Sequence, residues 1–186
     1  SDADYSTVFY INLGISVLFY LMLYATAPLI ASFYNQPLLT DITRVYSITL
    51  ILNALTAINK TKLVIAVDFK TQTKISFIAA LLSGAIGVYC AFTGYGVWSL
   101  VIQSISSSIF NILLSYYYVR WFPSWVFSTD SFKRLFAFGS KLLVANLISS
   151  VYTNLYTFVI GKKFSTTSLG LYTRADHFAQ FASSNL

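Results

Sequence analysis

Long apolar runs alternate with short polar breaks along this chain, and the spacing of the breaks predicts its elements. From Ile75 to Val119 no side chain is charged, a length that fits two membrane-spanning helices of about 20 residues each. The break inside it falls at Thr93-Gly94-Tyr95-Gly96, where two glycines permit a tight turn. Ile75 to Thr93 is then one span and Val97 to Val119 the next. In hydrocarbon such segments are helical, because every backbone N–H and C=O must be satisfied internally. The same reading gives a first span over Val8 to Phe33, with Pro28 near its end, and a loop at Asn35-Gln36-Pro37. A second span covers Ile42 to Asn59, with Arg44 in its first turn. Lys60 to Lys74 forms a polar connector. Arg120 to Arg134 is the longest connector, Leu135 to Gly161 a fifth span, and a sixth helix starts near Leu169 and is cut short. The expected fold is an all-α polytopic transmembrane helix bundle, with five complete membrane helices plus a truncated sixth. The chain reads as an internal fragment of a longer protein.

Composition sharpens this picture. Of 186 residues, 56% are hydrophobic and only 10% charged, with no glutamate, and the mean hydropathy is +0.68. Such values exclude a disordered chain and a typical soluble domain. The single cysteine, Cys90, lies inside a span and reads as a small buried apolar residue, with neither disulfide framework nor metal spacing. The net charge of +6 matters less than its placement. Lys60, Lys62, Lys70 and Lys74 lie in one connector, and Arg120, Lys133 and Arg134 in another, whereas the loops 34–41 and 94–96 hold no Lys or Arg. Only Lys162 and Lys163 dissent. The asymmetry puts connectors 60–74 and 120–134 in the cytoplasm and the Gly94 turn outside. Trp98 and Trp121, about 34 Å apart along a helix, mark the two interfaces.

Polar residues recur inside these apolar helices, which a simple anchor does not need. The fourth span carries Gln103, Ser104, Ser107, Ser108, Asn111 and Ser115 on one broad face; the fifth carries Asn146, Ser149, Ser150, Thr153, Asn154 and Thr157. The second has Thr49, Asn53, Thr56 and Asn59, and the first has Asn12, Ser16, Tyr20 and Tyr24. The third offers Ser83 and Gly87, suited to close helix packing. Single Ser and Thr residues suit interhelical hydrogen bonding; Asn and Gln repeated on several helices favour a hydrated interior cavity, so Asn111 and Asn154 are expected to face inward. No acidic residue lies deep in a span, which argues against a proton relay in this piece. Arg44 and Lys141 either snorkel to an interface or line the cavity, and Arg174 is either interfacial or cavity-facing. His177 has no second ligand beside it. Nothing in the chain resembles a nucleophile–base pair or a phosphate-cradling glycine loop.

The order of several short motifs resembles a known family. Asp4-Tyr5-Ser6-Thr7-Val8-Phe9, Asp68-Phe69-Lys70, Gly94-Tyr95-Gly96-Val97-Trp98-Ser99-Leu100, Phe138-Gly139-Ser140-Lys141 and Ile160-Gly161-Lys162 through Leu169-Gly170-Leu171-Tyr172-Thr173-Arg174-Ala175 look like successive landmarks of bacterial polysaccharide and O-antigen flippases. These are the Wzx/WzxC-type members of the multidrug/oligosaccharidyl-lipid/polysaccharide exporter superfamily. The resemblance implies two lobes around a central cavity, with residues 1–122 belonging to the N-terminal lobe, 123–134 joining the lobes in the cytoplasm and 135–186 opening the C-terminal lobe. It implies a multi-pass protein of the bacterial inner membrane that moves an undecaprenyl-diphosphate-linked oligosaccharide between leaflets for O-antigen, capsule or exopolysaccharide synthesis. No cofactor, metal, nucleic acid or covalent chemistry is implied. The lipid bilayer and the lipid-linked oligosaccharide are the expected partners, and polysaccharide polymerase machinery a further one. Arg174, then Lys141 and Arg44, are the candidate cations for a diphosphate. Gln103, Asn111, Asn146 and Asn154 are the candidate sugar contacts. The rival readings are a cation-coupled multidrug exporter of the same superfamily, which needs a membrane-embedded carboxylate, a membrane-embedded sugar or acyl transferase, which needs a clustered acid or His, and a non-transporting membrane scaffold.

Overall fold

The computed structural model describes residues 2–126, 139–140, 142, 144–152, 154–155, 159 and 169–175. Every regular element among them is an α-helix: α1 (Asp2–Tyr34), α2 (Leu38–Tyr46), α3 (Ile48–Ile65), α4 (Phe69–Phe92) and α5 (Trp98–Val119). The described residues between 139 and 159 are also helical, as are residues 169–175. The chain divides into two compact units, one comprising 1–32 and 36–132, the other 33–35 and 133–186.

Among the described residues the apolar runs become four segments long and apolar enough to cross a membrane: 4–34, 38–65, 69–92 and 98–119. Large apolar side chains on their outer faces, among them Leu18, Leu21, Phe77, Leu81 and Leu113, are exposed. That is the pattern of a helix bundle whose solvent is lipid. With such helices and no strand among the described residues, this is a multi-pass helical membrane protein. The fifth expected span is described only in part, and of the sixth helix residues 169–175 are described.

Three helices end in the same way. Their last carbonyls are closed by a residue in the left-handed conformation: Asn35 (φ 54°) after α1, Val67 (φ 55°) after α3 and Gly94 (φ 88°) after α4. In each, the next N–H reaches back five residues, Gln36 to Ala31, Asp68 to Leu63 and Tyr95 to Cys90, at 2.9–3.1 Å. This is the Schellman closure. Glycine suits it and asparagine tolerates it, but Val67 is β-branched, so its backbone is strained there. Asp68 then caps α4, its carboxylate accepting the Thr71 N–H at 3.0 Å. Those hydrogen bonds from the Thr71 side chain and backbone hold the Asp68 carboxyl below its ordinary value.

The second span departs from the sequence reading. Instead of one helix over Ile42 to Asn59, α2 and α3 are separated by a break at Ser47. Local hydroxyls support the break: Ser47 Oγ donates to the Arg44 carbonyl and Thr49 Oγ1 to the Tyr46 carbonyl. The connector expected over 60–74 shrinks to Ala66, Val67 and Asp68. Lys60, Lys62, Lys70 and Lys74 are helical, because a helix keeps its backbone bonds as it leaves hydrocarbon and lysine favours that conformation.

Packing in this unit rests on small residues. Ile75, Ala79, Ser83, Gly87 and Cys90 form the buried stripe of α4, spaced three or four apart, and α5 lies close against it. A Cβ on Gly87 would stand 3.0 Å from Gln103 Cβ, Cδ and Oε1, so the absence of a side chain at 87 lets Gln103 lie across α4. Along α3, Ala54, Thr56, Ile58, Asn59 and Leu63 are buried, and the Tyr116 hydroxyl of α5 donates to the Leu55 carbonyl of α3 at 3.2 Å.

Candidate functional site

Two polar features emerge in the first unit, one on a helix face and one at the lysine-rich end. On the face, Ser83 of α4 with Gln103, Ser104 and Ser107 of α5, flanked by Ala80 and Leu100, line a groove of about 410 Å³. Residues 103, 107 and 111 recur four apart, with 104 three before 107, which places them on one broad side of α5. The serines divide in role. Ser99 and Ser108 are buried and bond back, Ser99 to the Gly96 carbonyl just before the helix and Ser108 to the Ser104 carbonyl within it, whereas Ser104 and Ser107 border the groove. Asn111 is half-buried, and its amide donates to the Ser107 carbonyl at 2.9 Å, which leaves the carboxamide oxygen as its acceptor. The α3 stripe behaves differently: Thr49, Thr56 and Asn59 are buried inside the unit, whereas Asn53 is exposed. Both amide atoms of Asn59, like Ser115 Oγ, are buried without a hydrogen-bond partner.

At the lysine-rich end, Lys62 is the centre of an aromatic cluster. Its Nζ lies 4.8 Å over the Tyr5 ring, 4.7 Å over the Trp121 ring and 3.2 Å from an Asp2 carboxylate oxygen. Trp121 also meets Tyr5 and Phe9 edge-on, with centroids 6.4 and 6.2 Å apart. Beside it, the Ser6 and Ser124 hydroxyls are 2.9 Å apart, and Ser124 N–H donates to Ser6 Oγ at 3.0 Å. The start of the 120–134 connector is therefore fastened to the first turns of α1. Nothing in the sequence spacing signalled this cluster, because its members lie 60 and 118 residues apart.

Arg44 is half-buried on α2 against Tyr24 of α1, its guanidinium carbon 4.5 Å over the ring and its Nε 3.5 Å from the Tyr24 carbonyl oxygen. In the second unit, Asn146 lines a recess of about 340 Å³ with Gly139, Leu142, Leu147 and Ser150. Asn154 lines another, of about 470 Å³, with Leu147, Ser150, Val151 and Leu155, and its amide donates to the Ser150 carbonyl at 2.9 Å. Asn154 is exposed, but so is every residue from 144 to 152, so exposure does not separate an inward face on this helix. Arg174 is exposed on the 169–175 helix. Lys141, Thr153, Thr157, His177 and the connector lysine and arginine at 133 and 134 lie outside the described residues. Among the described residues no group of three or more His, Cys, Asp or Glu side chains is placed to hold a metal ion.

What the arrangement offers is hydrogen bonding and fixed charge on apolar helices. The chain belongs to the family described as "Polysaccharide biosynthesis protein", which it matches over residues 1–186. It is similar to the teichuronic acid biosynthesis protein TuaB of Bacillus subtilis (strain 168), 26% identical over 180 residues, covering 94% of this chain and 37% of that protein. It is also similar to the succinoglycan biosynthesis transport protein ExoT of Rhizobium meliloti (strain 1021), 25% identical over 173 residues, covering 93% of this chain and 35% of that protein. The chain thus spans about a third of the length of these relatives. No solved structure matches it.

Proposed function

We propose that this chain belongs to a bacterial inner-membrane flippase that moves an undecaprenyl-diphosphate-linked oligosaccharide from the cytoplasmic to the periplasmic leaflet. The observation that carries the reading is the groove of Ser83, Gln103, Ser104 and Ser107 on otherwise apolar helices, in a chain of the family described as "Polysaccharide biosynthesis protein". A sugar head group is recognised by amide and hydroxyl groups, and exposing those groups to hydrocarbon unpaired is unfavourable. Two relatives support the reading by name, one a biosynthesis protein for teichuronic acid and one a transport protein for succinoglycan.

In this reading residues 1–122 belong to one lobe, 123–134 join the lobes in the cytoplasm, and 135 onward opens the second. Gln103, Asn111, Asn146 and Asn154 contact sugar hydroxyls. Arg174 holds the diphosphate, with Lys141 and Arg44 as further cations, because a charge drawn into a low-dielectric cavity needs a fixed partner. Transport is rocking of the lobes around the site, without covalent chemistry and alongside the polymerase machinery that consumes the flipped unit. The test is genetic. Deletion of the gene in its host should remove surface polysaccharide and accumulate lipid-linked repeat units. Re-expression of the full-length protein should restore export, Arg174→Ala should not at equal membrane abundance, and Arg174→Lys should restore it in part. Normal export by Arg174→Ala would leave that residue an interfacial anchor, and unchanged polysaccharide in the deletion strain would refute the function.

A further inference from the structure

A proline inside a membrane helix leaves one carbonyl without its partner, the one four residues earlier, because the ring nitrogen carries no proton. In α1 the proline is Pro28, and the freed carbonyl is that of Tyr24. The two hydroxyls flanking the gap are committed elsewhere: Thr26 donates to the Met22 carbonyl at 2.8 Å and Ser32 to the Leu29 carbonyl at 2.9 Å. A group from another helix approaches this carbonyl. Arg44 of α2 brings its Nε to 3.5 Å from the Tyr24 carbonyl and its guanidinium over the ring of the same residue at 4.5 Å. One side chain meets both the main chain and the aromatic face of Tyr24. The helix that carries Arg44 is itself interrupted three residues later, at Ser47.

We propose that Arg44 is a main-chain latch, which satisfies the carbonyl freed by Pro28 from across the helix boundary and so fixes α1 against the broken α2–α3 pair. The donor belongs to α2, so the carbonyl is satisfied only while the two helices keep this register. Loss of the latch leaves an unpaired carbonyl in hydrocarbon and a helix free to flex at Pro28. This role stands apart from any contact between Arg44 and a substrate diphosphate, since the ring and the carbonyl are its partners.

Proline and arginine are then coupled, and an alanine at 28 uncouples them. Pro28→Ala restores the N–H, the helix satisfies Tyr24 by itself, and the latch becomes dispensable. In the full-length protein in detergent, Arg44→Ala is expected to lower the melting midpoint by several degrees, and by less than half as much in the Pro28→Ala background. Equal losses in both backgrounds, or none in either, overturn the proposal. A second measurement covers the case in which Pro28→Ala fails to accumulate. Spin labels on cysteines at the exposed positions Leu29 and Tyr46, in a Cys90→Ser protein, report the α1–α2 geometry directly. A narrow distance distribution with Arg44 and a broad one in Arg44→Ala support the latch, and identical distributions refute it.

Discussion

Replacing Lys62 should release the connector from α1, and the size of the effect follows from its contacts. Lys62 is 24% exposed, and Asp2 is 79% exposed, so the ion pair between them is screened by water and contributes only ~0–1 kcal/mol. The two ring contacts matter more. A cation over an aromatic face contributes about 0.5–1 kcal/mol when exposed and about 2 when desolvated; for a mostly buried ammonium between two rings the pair together gives about 2 kcal/mol. The assay uses Ser6, which is fully buried and bonded to Ser124. A cysteine there, in a Cys90→Ser background, reacts with a thiol reagent only when the connector lifts away from α1. Losing about 2 kcal/mol raises the open population, and with it the labelling rate, by roughly 30-fold. Lys62→Ala should therefore label about 30-fold faster, Lys62→Arg should stay near the parent because a guanidinium also stacks on rings, and Asp2→Asn should change the rate by less than about threefold. Lys62→Ala and Trp121→Leu should be less than additive, since each removes the same contact. Additive effects, or equal rates for Lys62→Ala and Lys62→Arg, would show that the lysine does not hold the connector through the rings.

Three further outcomes are expected. Gly87→Ala gains helix propensity but places a methyl 3.0 Å from Gln103 Cβ, so α4 and α5 must part; a net loss of about 1 kcal/mol is expected in a detergent unfolding assay, smaller when combined with Gln103→Ala, and a stabilised Gly87→Ala protein would refute the contact. Val67→Gly relieves a β-branched residue at φ 55° and should stabilise by about 1 kcal/mol, read as a higher melting midpoint; a lower midpoint would deny the strain. The Asp68 carboxyl is held below its ordinary value by its bonds from Thr71, so the cap stabilises the α3–α4 turn at every pH above the ordinary carboxylate value of 3.8 and is lost as pH falls through the lowered one. Amide exchange at Thr71 should accelerate relative to the rest of α4 only in that acid window, and Asp68→Ala should abolish the pH dependence.

The membrane class, the helical spans of the first unit and the glycine turn were legible in the sequence. Hydrocarbon leaves the backbone no alternative to the helix, and the two glycines at 94 and 96 do have positive φ. Polar periodicity on α5 likewise pointed to Gln103, Ser104 and Ser107, because residues three and four apart must share a side of a helix. The place of Lys62 is not legible in the charge pattern, since it counts as a connector cation by position and is packed between Tyr5 and Trp121. Helix ends are hidden for a related reason: α3 and α4 run past the hydrophobic boundary until a left-handed residue and an aspartate cap stop them, and lysine does not terminate a helix. What only the tertiary structure decided is which groups meet. A freed carbonyl at Tyr24 is implicit in Pro28, but that Arg44, 20 residues on, comes within 3.5 Å of it depends on where the fold places α2 beside it. The seating of Gln103 over Gly87 and the fastening of Ser124 to Ser6 depend in the same way on packing between helices, because periodicity orients a side chain about its own axis and carries no information about its neighbour's.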